Sequence, residues 1–502
     1  MPPKSIFDFQ NSGDAPKKEE IKEKKPHRET HKRAAPKFTA VQKRGVSKSK
    51  TVQPPAPLPP KKEGAIRFAH LADCHLGAFR DDTLRELNIK AFEGAIDKSV
   101  AENVDFIIIA GDLFHTNVPD MRVAERCARK LRQLKEKGIE GFVLYGSHDY
   151  SPNEKSIIDV LRGAGLFNKL GAGEYVGDKL VLKPSEFRGI PIVGLLARTS
   201  GLEKSDYERL NTEALEALPN PKIFVYHSAI AEYRPSFLKD AECVPLSYFP
   251  KGFAYYAGGH VHERREIKEK GYGTFVFPGH TFGADFRDLE SDSEEAPGFY
   301  IVDIEAKAAT KATIASSPIV AEQEAKNNAP PALHFVATEL PEILLADFSA
   351  DGKGALEFKE ELSIWAEGGG FSKKIVMLRA AGKLASGKPN EVEVEAIRER
   401  VLAAGALVCV LNRGSLSSAE RLVVQIDTSK GKDEIEREII GEFVAKSSFK
   451  DEALNGKKGA ELAISISGAL KQEQRANETK DTYHRRVFGD ARKIMDSAEG
   501  NK

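Results

Sequence analysis

Residues 66–73 read IRFAHLAD, residues 106–112 read FIIIAGD and residues 141–149 read GFVLYGSHD. Each is a short, nearly continuous apolar run that ends at a small residue followed by a carboxylate or an imidazole. Runs of this length bounded by turn residues are the signature of strands buried on both faces. Between the first and second lies a helical spacing of apolar residues, Leu84, Leu87, Phe92, Ile96 and Val100. Between the second and third, a helix is predicted from Pro119 to Lys137. Strand, helix, strand, helix, strand is the order of an α/β sheet. Further apolar runs follow in PIVGLLA, KIFVYHS, FAYYAGGH, GTFVFPG and GFYIVDI, and the block closes near Ile304.

Outward from that block the composition changes. Residues 1–62 are rich in Lys, Pro, Ser and Glu and end in the Pro54–Pro60 run, a composition that cannot offset the entropy of ordering. They are expected to be disordered, as a solvated tail, a basic arm tethering DNA, or a carrier of a short partner motif around Ile6, Phe7 and Phe9. Residues 1–63 hold 16 Lys or Arg against seven Asp or Glu, a net of +9. The whole chain of 502 residues is neutral, with 75 basic and 75 acidic residues, so the remainder sums to −9. A uniformly basic nucleic-acid coat is excluded, and any DNA contact must come from local patches. The expected domains are 63–305, an α/β domain; 306–331, a linker; 332–428, a small α+β unit; and 429–502, helices. Strands of the second unit are read in LHFVATEL, KKIVMLRAAG and LVVQIDT, its helix in EVEVEAIRERVLAAG, and Trp365, Leu362 and Ile364 as its core. In the last region Ile435, Ile439, Ile440, Phe443 and Val444 share one helix face; Leu462, Ile466 and Leu470 share another; Tyr483, Val487, Ile494 and Met495 suggest a third. No run of 18 apolar residues suggests a membrane helix, no apolar signal region opens the chain, and Cys74, Cys127, Cys243 and Cys409 form no CxxC pair. A cytoplasmic, nucleoid-associated protein without a disulfide scaffold is expected.

The chemistry sits at the strand ends. Asp73-x-His75 follows the first strand and Gly111-Asp112 the second, with His115 three residues on. Gly146-Ser147-His148-Asp149 follows the third, His227 ends a later run, and Gly259-His260-Val261-His262 ends another. In an open α/β sheet the strand ends on one side converge on the ligand crevice. Each motif alone is weak, since a Gly-Asp is commonly a turn and a lone histidine commonly a hydrogen-bonded core residue. Five in order, each after a strand, point to one metal site. Carboxylates and imidazoles without a thiolate cluster suit Mn²⁺, Fe²⁺ or Zn²⁺ better than Ca²⁺. Cys74, between two of these residues on an extended segment, should point away, and His280 reads as a loop residue.

The motifs resemble those of the calcineurin-like metallophosphoesterase superfamily, DxH, GDxxxx, GNH[DE], H and GHxH. The phrases FAHLADCHLG, GDLFH, VYHSAI, GGHVHERRE and FPGHTFGADFRDLE look like those of the archaeal Mre-eleven and bacterial SbcD nucleases of DNA double-strand-break repair. The resemblance covers about residues 65–305. It implies a β-sandwich flanked by helices, a small α+β capping domain that binds DNA, and C-terminal helices. It also implies two divalent ions, Mn²⁺ above all. Asp73, His75, Asp112 and His262 would hold the first; Asp112 would bridge; His227 and His260 would join it on the second. His148 would do proton work with its tautomer held by Asp149, and His115 is either a supporting residue near the phosphate or a structural histidine. One departure stands out. Where the superfamily has a ligating Asn, this chain has Ser147, whose shorter hydroxyl reaches the metal through water or not at all.

A nuclease acting on breaks needs phosphate contacts more than base readout. Arg80, Arg198, Arg264, Arg265 and Arg287 lie near the motif loops and are candidates, or else solvated surface charges. The resemblance further implies a homodimer through the helices at 83–101 and 119–137. It implies a coiled-coil ATPase of the Rad-fifty or SbcC type, gripped by the C-terminal helices. The leading reading is a double-strand exonuclease and single-strand endonuclease acting on DNA ends. The rivals are a DNA-tethering scaffold with a nuclease weakened by Ser147, and a small-molecule metallophosphodiesterase.

Overall fold

The computed structural model describes residues 46–47, 57–149, 156–197, 203–235, 243–305, 330–418, 431–446, 454–475, 478 and 480–499. The three opening runs are strands β1 (Ala65–Leu71), β2 (Phe106–Ala110) and β3 (Glu140–Leu144), separated by α1 (Asp82–Ala101) and α2 (Met121–Glu136). Asp81 caps α1 by accepting from the amides of Thr83 and Leu84, and Asp120 caps α2 through Arg122, which satisfies amides that a helix start leaves unpaired. β4 (Asn168–Lys169) extends the parallel set β1–β2–β3–β4.

A second sheet comprises β5 (Ser185–Phe187), β6 (Ile190–Leu195), β7 (Ile223–His227), β8 (Tyr255–Gly259), β9 (Arg265–Lys268) and β10 (Thr274–Phe277). Its spatial order is β9-β10-β8-β7-β6-β5, parallel through its centre and antiparallel at both edges. Helix α3 (Phe286–Glu294) then leads to β11 (Gly298–Glu305), which returns antiparallel to β1.

The two sheets pack face to face. Phe68, Phe106, Ile108, Phe142, Ile192, Val225, Tyr255, Ala257 and Val302 fill the layer between them. The alternate residues of β1–β3, including Ala69, Ile107, Ile109 and Val143, meet Phe92, Ile96, Cys127 and Leu131 of α1 and α2 on the outer face. That two-sided burial is why these strands are apolar without alternation.

One boundary moves. The run LHFVATEL, read from the sequence as the start of the second unit, forms β12 (Ala332–Ala337) and pairs antiparallel with β11 along Gly298–Asp303. It is the edge strand of the first sheet, in the order β12-β11-β1-β2-β3-β4. Its hydrogen-bonding edge is supplied by β11, a long-range pairing that apolar periodicity does not encode.

The second unit is thus built from β13 (Ile343–Ser349), α4 (Ala355–Glu367), β14 (Ile375–Leu384), α5 (Val394–Ala403), β15 (Val408–Asn412) and β16 (Leu416–Ser418). Its strands alternate in the way a sheet covered on both faces requires. Ala346, Val376, Leu378 and Cys409 face α4 and α5. Ile343, Leu345, Ile375, Met377 and Val408 face the first domain, packing on Leu84, Ala91, Phe282 and Leu289. Leu362 is buried and Trp365 packs beside Phe348 and Phe371, whereas Ile364, read as core, is 62% exposed. The run LVVQIDT and most of 306–331 lie outside the described residues.

The tail forms α6 (Lys432–Lys446), α7 (Gly456–Leu470) and α8 (Lys480–Glu499). Glu436 of α6 accepts from Ser467 of α7 and pairs with Lys471, and Val444 and Val487 are buried. Phe443, Leu470, Phe488 and Met495 remain exposed. No helix among the described residues is long and apolar enough to cross a membrane.

Most of the expected disordered extension 1–62 lies outside the described residues. Its end is ordered by contacts: Leu58 packs on the α1–α2 core, the Pro59 carbonyl accepts from Arg67, and Lys61 pairs with Asp105. Val46–Ser47 pairs with β13.

Candidate metal centre

The C-terminal ends of β1, β2, β3, β7 and β8 open at one end of the sandwich, and the motif residues meet there. The loops after β1 and β2 are stitched together beyond the strands. Asp73 N–H donates to the Gly111 carbonyl (3.1 Å), His75 N–H to Asp112 (2.9 Å) and Leu76 N–H to Leu113 (3.0 Å). This ladder holds Asp73, His75 and Asp112 at φ of 48°, 43° and 50°, and His260 stands at 82°. Non-glycine residues in this region are uncommon and strained, and persist where the surroundings over-determine them. Among the described residues, four of the eight non-glycine residues with positive φ are these site residues, so the strain is concentrated where the donors converge.

Four three-donor groups result among the described residues, each with ligand atoms within 4.8 Å of one another: Asp73 with His75 and His262, Asp73 with Asp112 and His227, His75 with His115 and His148, and His262 with His280 and Asp288. His75 Nε2 faces His262 Nε2 at 3.1 Å and Asp112 Oδ2 at 3.7 Å. His227 donates Nδ1–H to the Ala110 carbonyl (2.9 Å), which turns Nε2 toward Asp112 Oδ2 at 3.2 Å. Both carboxylates and the rings of His75 and His227 are buried.

The electrostatics follow from that burial. Burial disfavours a charged Asp112, but the rings of His227, His75 and His148 outweigh it and hold the carboxyl well below its ordinary value. Burial opposes charge on His262 too; its hydrogen bond to Asp288 and the charges of Asp73 and Asp112 raise it to about 9. His75, with burial dominant, is pushed down and stays neutral.

The donor set fits a pair of divalent cations. His227 Nε2 is buried without a hydrogen bond, and the imidazole nitrogens of His75, His227 and His262 converge with the carboxylates of Asp73 and Asp112. An unpaired buried nitrogen is costly, and a divalent cation would give His227 Nε2 its partner. His262 has the outer support typical of a metal-bound histidine: Asp288 accepts from its Nδ1 through both oxygens, each at 3.0 Å.

The remaining expected residues divide. Ser147 Oγ lies 3.5 Å from Asp112 Oδ2, and the His148 amide donates to Asp112 Oδ1 (2.8 Å). His260 meets Asp73 through its backbone amide, at 3.0 Å from both oxygens, while its ring lies beside His227 with centroids 5.3 Å apart; it belongs to none of the four three-donor groups. His148 is exposed, its ring 4.8 Å from that of His75 and stacked on His115 at 5.1 Å.

Asp149 does not hold the His148 tautomer. Its carboxylate is turned inward and accepts from the amides of Gly146 (3.1 Å), Leu113 (3.2 Å) and Phe114 (3.1 Å). Those three buried donors have stronger need of it than an exposed ring. His148 instead donates Nδ1–H to the His115 carbonyl (2.7 Å). Burial, with Asp112 nearby, raises Asp149 to about 7.

His280 lies in the loop after β10, as expected, but not at the surface. It is buried, and its Nε2 pairs with Asp292 at 2.6 Å. Asp288 and Asp292 were not anticipated as site residues; the signal available was their four-residue spacing just after the GHTFGAD phrase. Cys74 points into the α1–α2 core.

Among the candidate DNA contacts, Arg264 pairs with Glu295, Arg265 with Glu263 and Arg287 with Asp285. Arg80 is exposed beside the first motif loop, and Arg198 lies outside the described residues.

Comparison with known proteins agrees with this geometry. Residues 66–264 match the calcineurin-like phosphoesterase family. Three curated relatives, each called DNA double-strand break repair protein Mre11, share 28–29% identity. The relative from Archaeoglobus fulgidus is 28% identical over 44% of this chain and 52% of its own. That from Methanococcus maripaludis is 28% identical over 48% and 63%, and that from Methanopyrus kandleri 29% over 48% and 54%. The chain spans between half and two thirds of the length of these relatives. The strand-end donors, from Asp73 to His262, all lie inside the region that is similar to the calcineurin-like phosphoesterase family.

Proposed function

We propose that the protein is a Mn²⁺-dependent DNA nuclease subunit that trims DNA ends, as a double-strand exonuclease and single-strand endonuclease, in double-strand-break repair. The observation that carries this reading is the convergence of Asp73, His75, Asp112, His227 and His262 on one buried, oxygen- and nitrogen-rich point. Asp73, His75 and His262 would hold one ion, and His227 the other, with His260 and Ser147 beside it and Asp112 between. When bound there, divalent ions would supply electrophilic binding of a phosphodiester, activation of a water nucleophile and neutralisation of developing charge.

The chain's own groups do the rest. Asp112 is kept ionised by the surrounding rings. The His115 carbonyl fixes His148 with Nδ1–H as donor, leaving Nε2 toward the opening of the site, where it moves a proton at the leaving oxygen. Stacking of His115 on that ring limits its rotation. Asp149 ties the second and third motif loops to each other and so positions both Asp112 and His148.

The second unit, seated on α1 and α3 beside this site, would guide the duplex. Arg80 is a phosphate contact in this reading; Arg264, Arg265 and Arg287 exchange their carboxylates for phosphate on binding. A homodimer would use the outward sides of α1 and α2; Met121 at the start of α2 and Val118 in the loop before it are 69% and 80% exposed. The partner is a Rad-fifty or SbcC-type ATPase, whose coiled coil covers Phe443, Phe488 and Met495 of the tail. The complex works in the cytoplasm, at the nucleoid.

The test is incubation of the purified chain with end-labelled duplex, single-stranded and hairpin DNA in Mn²⁺, Mg²⁺ or chelator. Mn²⁺-dependent shortening of duplex ends is expected. Hydrolysis of a small phosphodiester with intact DNA in every condition would overturn the nuclease reading.

A further inference from the structure

Helix α3 has two working faces. On one, Asp288 and Asp292, four residues apart and therefore stacked, reach back to the metal centre. Asp288 holds Nδ1 of His262 (3.0 Å) and also accepts from the Ala284 amide (2.8 Å). Asp292 holds Nε2 of His280 (2.6 Å) and the Gly283 amide (3.1 Å). The rings of His262 and His280 meet edge to face with centroids 5.4 Å apart. Gly283 is required there, since a Cβ would come within 2.7 Å of Asp288 Cβ.

The other face of α3 packs into a cluster that the second unit shares with α1. Leu289 is fully buried in a cluster that joins Ile343, Leu345, Ile375, Met377 and Val408 of the second unit to Leu84, Ala91 and Phe282 of the first, and Phe286 packs on the same cluster. Glu290 pairs with Arg379 of β14, whose guanidinium lies 5.3 Å over the Phe286 ring and 3.4 Å from Asp347. A short helix of nine residues thus has its position set by the second unit and hands that position to His262.

We propose that α3 is the bracket through which the second unit sets the orientation of His262, with Asp288 as the positioning residue and Glu290–Arg379 as the anchor. Metal uptake at the His75–His262 side is then governed from the second unit, about one helix width away. The physical basis is simple. A histidine ligand needs its second nitrogen held to aim the first, and loss of such a holder weakens metal binding by roughly 10–100-fold. The holder here is itself held by a domain that supplies no ligand.

This inference rests on the two-metal reading above, and Mn²⁺ titration of the full chain by calorimetry, without DNA, separates the two. Asp288→Asn should weaken one of two Mn²⁺ ions by about 10–100-fold and spare the other. Arg379→Gln and Glu290→Gln should weaken the same ion by about 2–30-fold, the range typical of coupling through packed networks. Arg398→Gln is the control. Its Nε bonds the Cys409 carbonyl inside the second unit, and it should leave both ions unchanged. Loss at one ion alone is a signature that general destabilisation does not produce. If the unaltered chain takes up no Mn²⁺, the two-metal reading falls and this one with it. If it binds two ions and either Asp288→Asn or the Arg379 and Glu290 variants match it, the bracket alone is overturned.

Discussion

Substituting Gly259 by alanine tests how tightly the two sheets are pinched at the metal centre. Gly259 ends β8 and lies opposite the end of β2 across the sandwich. A Cβ there would lie 2.0 Å from the Ala110 carbonyl oxygen and 2.7 Å from His227 Nδ1. Ordinary contact needs well over an ångström more, and the atoms in the way are backbone and a buried ring that have no room to yield. The same carbonyl holds His227 at 2.9 Å, so moving it also breaks that hydrogen bond. Overpacking of a close-packed interior costs about 1–3 kcal/mol, and the lost hydrogen bond adds about 0.5–1.5 kcal/mol. Gly259→Ala should therefore destabilise by about 2–4 kcal/mol, and should weaken the His227-side ion because its ring loses its aim. Gly94→Ala is the matched control. Gly94 lies within α1 with nothing within 4 Å of its would-be Cβ, and alanine in a helix interior should stabilise by about 0.5–1 kcal/mol. Urea unfolding of the three proteins, followed by circular dichroism and paired with Mn²⁺ titration, measures both effects. A Gly259→Ala protein with the parental urea midpoint and parental metal affinities would refute the close approach.

Three further outcomes are expected. His148→Ala should lower DNA cleavage by about 10²–10⁴-fold, the usual worth of a general acid or base, while Mn²⁺ titration stays unchanged; parental turnover at saturating Mn²⁺ defeats the assignment. Ser147→Asn should tighten the ion shared by Asp112 and His227, because an amide oxygen reaches further than the hydroxyl now 3.5 Å from Asp112; calorimetry showing no tighter binding in a folded protein means a water already completes that site. Lys222 is buried, which depresses its ammonium to about 8 although Glu216 opposes the shift, and it donates to the carbonyls of Glu216 and Leu218. The unfolded chain then binds the extra proton between pH 8 and 10.5, so this group makes stability rise with pH across that window, by on the order of 3 kcal/mol. Urea midpoints of the parent and Lys222→Met at pH 7.5 and 10 should show this rise only in the parent, and parallel profiles would refute it.

Element type and the order of donors were legible in the sequence because both are local. Apolar runs such as FIIIA must be buried on both faces, and a chain leaving such a strand turns at once, so the Gly-Asp and Gly-His residues at run ends had to cluster at sheet edges. Asp73, His75, Asp112, His227 and His262 were expected to meet for this reason, and their side chains do converge. Partner choice between distant segments was not legible. Ala332–Ala337 reads as a strand of either unit, and only the free edge of β11 assigns it to the first sheet. Asp149 reads as a holder for its neighbour His148, yet three buried amides from two loops claim its carboxylate, and the His115 carbonyl takes the imidazole instead. Asp288 reads as one more charge on a short helix, and becomes the support of His262 only because the second unit seats that helix against the site. Periodicity and composition report what a residue must hide from water; which buried donor meets which acceptor is decided by the tertiary packing that brings them within hydrogen-bond reach.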